Sequence, residues 1–140
     1  MPEFFGNTVM VNGKVWPNLD VTQGWYRFRL LDGSNARFYT ISLKDPTTEL
    51  KVPFTVIGSD GGYLMQPTTV RSLTIAPDER YDILVDFSAV SLGTKLFMTN
   101  TASARCKLSM RALPRRLSSL RVINGNEYQT REIKRRPNRV

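Results

Sequence analysis

Between Trp25 and Leu31 the side chains alternate: Tyr26, Phe28 and Leu30 fall on one face, Arg27 and Arg29 on the other. An extended strand has a side-chain period of two, so this segment buries one face and wets the other. Short runs with β-branched and aromatic residues recur along the chain at 8–11, 38–43, 54–57, 70–75, 81–87 and 95–99. Each is bounded by Gly, Pro, Asp, Asn or Ser, the residues that favour turns. No segment carries a helical period over 11 or more residues. Only residues 115–122 read as a short helical turn. The expected fold is therefore all-β, a sandwich or barrel of about seven strands. Asn12-Gly13 ends the first run and predicts a tight hairpin, because both residues tolerate positive φ. Pro17, Pro46, Pro53, Pro67 and Pro77 are expected between strands or at their ends, where a missing N–H breaks no ladder.

The 140 residues and 41% hydrophobic content suit one folded domain. The net charge of +8 is unevenly placed. Residues 1–100 hold nine Lys or Arg against ten Asp or Glu, whereas residues 101–140 hold eleven against two. A near-neutral domain over 1–102 and a basic, irregular tail over 103–140 are therefore expected, the tail having too few apolar side chains to offset its ordering entropy. No run approaches the roughly 20 apolar residues of a membrane span, and no basic-then-apolar leader opens the chain, so neither insertion nor export is expected.

The chain has no histidine and a single cysteine, Cys106. Missing histidine excludes His-based triads and zinc-hydrolase sites, and a copper electron-transfer centre needs two His and a Cys. Cys106 lies among cations that would favour its thiolate, yet no base or acid partner accompanies it, so adventitious oxidation or dimerisation is the expected chemistry. The dispersed methionines read as core filler. Ser59-Asp60-Gly61-Gly62 could present backbone N–H groups to an anion, but no helix or phosphate-loop lysine follows, and a turn between strands is expected. In the segment 77–82, neighbouring carboxylates point to opposite faces of a strand, which disfavours paired acid–base work. Arg80 is expected to pair with a carboxylate, with Asp60, Tyr81 and Asp82 in structural roles. The basic tail could engage nucleic acid or another polyanion through phosphate contacts, but no zinc knuckle, recognition helix or stacked aromatic set accompanies it.

Three blocks taken together resemble one known family. They are 5–17 (FGNTVMVNGKVWP), then 26–31 (YRFRLL) with 34–37 (SNAR), then 57–62 (IGSDGG) leading to 73–82 (LTIAPDERYD). In this order and at these intervals they resemble the second domain of multicopper oxidases of the spore-coat laccase and bilirubin oxidase branch, over residues 3–101. The resemblance implies a Greek-key β-sandwich of cupredoxin type. It also implies a parent enzyme that oxidises phenols and other aromatic substrates one electron at a time and reduces dioxygen to water. The family's coppers are held by His and Cys of the first and third domains. This chain would then carry no copper, its partners would be those two missing domains, and uncovered apolar faces would favour self-association. Alone it would be inactive, and an oxidase assembled from copies of this chain would need interface histidines that the sequence lacks. Phe4, Phe5, Gly6, Gly61, Gly62 and Tyr63 are the implied substrate-pocket residues, and Asn12, Gly13, Trp16 and Pro17 are structural. After Asn100 the sequence departs from the family, with only Leu120-Arg121-Val122 resembling its last strand. A shifted reading frame or truncated open reading frame is expected to explain that departure.

Overall fold

The structure, a computed structural model, describes residues 6, 8–102 and 116–123. Twelve strands are present among them: β1 (Met10–Val11), β2 (Lys14–Val15), β3 (Asn18–Thr22), β4 (Trp25–Leu31), β5 (Tyr39–Lys44), β6 (Lys51–Val52), β7 (Phe54–Ser59), β8 (Gly62–Val70), β9 (Leu73–Ile75), β10 (Arg80–Asp86), β11 (Lys95–Asn100) and β12 (Arg116–Ile123). One sheet has the order β4-β10-β7-β8; the other runs β3-β12-β11-β5-β6, with β9 also paired to β5. The chain crosses between them repeatedly, as a Greek-key sandwich requires. β3 and β12 pair in parallel, which joins the first strand of this sheet to the last.

Both sheets supply the core. Val21, Leu43, Leu96, Leu120 and Val122 come from the larger sheet, and Phe54, Val56, Ile83 and Val85 from the smaller. Phe87, fully buried, closes the layer and meets Tyr26 edge-on at 5.6 Å. A smaller cluster of Val9, Ile41 and Ile75 plugs one end of the sandwich, with Leu30, Tyr39 and Tyr81 packed around it. The segment leading into β1 is therefore part of the core.

β4 has the bounds and the alternation that its sequence predicts, with Tyr26, Phe28 and Leu30 half-buried and the residues between them exposed. The hairpin is also present: β1 and β2 pair around Asn12 (φ +48°) and Gly13 (φ +76°), both in the left-handed region that such a turn demands. Trp16, at φ +43°, donates its N–H to the Val9 carbonyl at 3.3 Å. The left-handed conformation is costly for so bulky a residue, and it returns the chain toward β3.

Two expectations need correction. The helical turn expected over 115–122 is strand β12: Leu120 and Val122 are buried in the core while Arg121 between them is only half-buried. Pairing in the gap between β3 and β11 decides the conformation. Pro67 falls inside β8 rather than at a strand end, and is tolerated because β8 is the sheet's edge. The remainder of the basic tail, Cys106 included, lies outside the described residues.

Candidate functional site

The ends of β4 and β7 and the starts of β5, β8 and β10 gather at one end of the sandwich. The turn before β10 organises this end. Its Asp78 adopts φ +66°, and Glu79 folds back so that its carboxylate accepts the Ala76 N–H at 2.8 Å. Two loops attach to it. Asp32, just after β4, donates its N–H to the Glu79 carbonyl (3.2 Å) and accepts the Asp78 N–H on its own carbonyl (2.8 Å). Asp60, in the β7–β8 turn, accepts the Arg80 N–H at 2.9 Å and pairs with the Arg80 guanidinium at 2.9 Å. The carboxylate partner expected for Arg80 is thus Asp60, and Asp82 is held instead by Arg27.

Of the pocket residues expected from the sequence, Phe4 and Phe5 lie outside the described residues. The Gly6 carbonyl accepts a hydrogen bond at 3.1 Å from the buried Arg37 guanidinium. Asp60 and Gly61 form the two-residue turn between Ser59 and Gly62, with Gly62, the first residue of β8, at φ +117°. Tyr63 is 71% exposed and lies beneath Arg27, whose guanidinium carbon is 5.6 Å from the ring centroid. Hydrogen bonding to Asp82 and then to Tyr63 raises the Arg27 pKa, which keeps the cation firmly charged. Gly58 permits this crossing: a Cβ there would sit 3.0 Å from the Gly62 carbonyl and 3.5 Å from the Tyr63 ring. Tyr81 is half-buried between the two clusters, and burial raises its phenol pKa. Gly6 and the Gly61–Tyr63 turn thus attach to one scaffold through Arg37 and Asp60.

Sequence reasoning overlooked Asp32 and Arg27. Asp32 is buried by a turn more than forty residues away in sequence, so nothing local marks it. Arg27 had a partial signal, as one of two arginines on the wet face of an edge strand.

The donor set does not fit a copper centre. The sequence lacks histidine altogether, and among the described residues no three His, Cys, Asp or Glu side chains converge where an ion could be held. Copper(II) electron-transfer sites require imidazole and thiolate together. What this end of the molecule offers is a hydrogen-bonded wall with an exposed aromatic–cation pair.

The multicopper oxidase family profile matches residues 3–110. The chain is 46% identical over 102 residues to multicopper oxidase LPR1 homolog 5 of Oryza sativa subsp. japonica, covering 72% of this chain and 15% of that protein. It is 44% identical over 102 residues to the laccase of Bacillus subtilis (strain 168), covering 73% and 19%. Among solved structures, McoA multicopper oxidase from Aquifex aeolicus superposes with a TM-score of 0.77 at 36% identity, covering 87% of this chain and 26% of that one. The chain spans less than a fifth of the length of these two sequence relatives. Strand pattern, sandwich topology and these similarities converge: the chain belongs to the multicopper oxidase family, as a cupredoxin-type domain of it.

Proposed function

We propose that this domain is a copper-free scaffold and substrate-pocket wall of a laccase-type multicopper oxidase, with no oxidase activity of its own. The observation that carries the reading is a family match in a chain without a single histidine. The parent activity would be one-electron oxidation of phenolic or other aromatic substrates coupled to reduction of dioxygen to water. Copper would be bound by the two flanking cupredoxin domains, and those domains are the proposed partners. Exposed apolar side chains, among them Trp25, Leu31 and Met65, support the existence of surfaces that another domain covers. Gly6, Gly61, Gly62 and Tyr63 are the pocket contacts available to such an assembly, with Tyr63 the side chain able to stack on an aromatic ring. The proposed domain runs to residue 123, a reading supported by β12, which lies between β3 and β11 in the larger sheet.

The test is copper per chain after loading with copper and exhaustive dialysis, read by atomic spectroscopy beside a phenol-oxidation assay. Negligible copper and no oxidation are expected. Stoichiometric copper with turnover would overturn the proposal and direct attention to Cys106 and the methionines.

A further inference from the structure

Asp32 is 4% exposed, and its buried Oδ2 has no hydrogen-bond partner among the described residues. A buried polar atom left unpaired is uncommon in folded proteins and is costly when it carries charge. The rest of its loop is well engaged. Asp32 Oδ1 accepts the Ser34 N–H at 2.9 Å, and the Ser34 hydroxyl donates to the Arg37 carbonyl at 2.8 Å. The Arg37 guanidinium donates to the Gly6 carbonyl at 3.1 Å. With the two backbone bonds from Asp32 to the 78–79 turn, a segment of six residues holds both that turn and the strand entering β1.

The charged surroundings are one-sided. The turn before β10 contributes Asp78 and Glu79, both acidic, and β5 contributes the Tyr39 phenol. Within the loop itself, Ser34 supplies hydrogen bonds and Arg37 is directed toward Gly6. We propose that residues 32–37 form an acid-strengthened clasp, in which protonating Asp32 removes a buried, half-unpaired negative charge and tightens the grip on the 76–80 turn and on Gly6.

Burial is the main force raising the Asp32 pKa; the Ser34 hydrogen bonds oppose it, and Asp78 and Glu79 add to it. The sign follows from linkage. A carboxyl with a raised folded pKa takes up its proton in the folded state first, so stability rises as pH falls through that value and levels off below the unfolded one. Asp45 and Asp86 behave oppositely: hydrogen bonds from the Thr47 N–H to Asp45, and from the Ser88 hydroxyl and N–H to Asp86, lower their pKa. In global stability the clasp is therefore visible only as a difference between variants. It does not depend on the copper-free reading.

The experiment compares thermal unfolding of the full chain and its Asp32→Asn variant between pH 4 and 8. The variant keeps an Oδ1 acceptor for Ser34 and removes the charge. It is expected to melt about 4 °C above the wild type at pH 8, a gap that closes toward pH 4. Parallel curves, or a variant that melts lower at pH 8, would overturn the proposal. Two measurements on the wild type stand whatever the variant does. The Asp32 carboxyl carbon, followed by NMR, should titrate above the ordinary ~3.9 of an aspartate, and a midpoint at or below that value would contradict the proposal. Exchange protection of the Ser34 and Asp78 amides, corrected for intrinsic rates, should rise several-fold on acidification, and unchanged protection would show that no clasp tightens.

Discussion

The smaller sheet ends in two edges built on different principles. β4 pairs with β10 over seven residues without a break in register, and its Tyr26, Phe28 and Leu30 rest on the core. β8 is longer, at nine residues, yet eight of them are exposed. Its pairing with β7 breaks between Val56 and Gly58, where Leu64 to Pro67 are set against Ile57 alone. An edge held by the core can stay regular; one without such anchoring relies on local links. β8 has the Thr55–Thr69 hydroxyl bond at 3.0 Å and the Tyr63 ring under Arg27. The irregularity also has a protective side. Pro67 and the bulge interrupt the row of free backbone groups that would otherwise template pairing with another chain, while β4 carries Arg27 and Arg29 on its wet face.

The contrast can be broken most directly on β4. Phe28 stacks with Tyr26 at 6.2 Å and meets Phe87 edge-on at 6.5 Å. Phe28→Ala should therefore cost about 3 kcal/mol, read as a lower denaturant midpoint. A cost near zero would show that β4 is not anchored by its inner face. An intermediate effect is expected at Gly58→Val, where the new side chain meets the Gly62 carbonyl and displaces Tyr63. It should lose about 2 kcal/mol of stability and alter tyrosine fluorescence as the ring leaves Arg27. Unchanged stability and fluorescence would mean that the crossing of Tyr63 over Gly58 contributes nothing. The smallest effect belongs to Met65, whose side chain is fully exposed at the bulge. Met65→Asp should stay within about 0.5 kcal/mol of the parent. A larger loss would place β8 among the anchored edges.

The same contrast explains what could be read from the residues. β4 was legible because burying one face writes a period of two into the sequence. β8 was not, because neither face needs to be apolar, and its Gly62 and Pro67 read as turn material. The Asn12-Gly13 hairpin and the turn at Asp60-Gly61 were legible since their chemistry is local. β3 was missed: Asn18 to Thr22 has little alternation, and its place comes from parallel pairing with β12, about a hundred residues later. β12 was misread for the same reason, since its parallel pairing with β3 is equally non-local. Arg121 instead sits opposite Asp20 across the parallel pair, at 3.5 Å.

The candidate site divides along similar lines. The block from 73 to 82 and the glycine turn were conspicuous, and Arg80 did find a carboxylate. That the carboxylate is Asp60, that Asp82 belongs to Arg27, and that Asp32 lies buried against the 78–79 turn all depend on how the two sheets stack. Local pattern alone determined the all-β class, the strongest strand and the first hairpin. Turn chemistry and side-chain periodicity act over a few residues and are written in the chain. Tertiary structure decided the order of strands, the burial of Asp32 and the partners of each arginine, because these are set by non-local packing that no short stretch of sequence encodes.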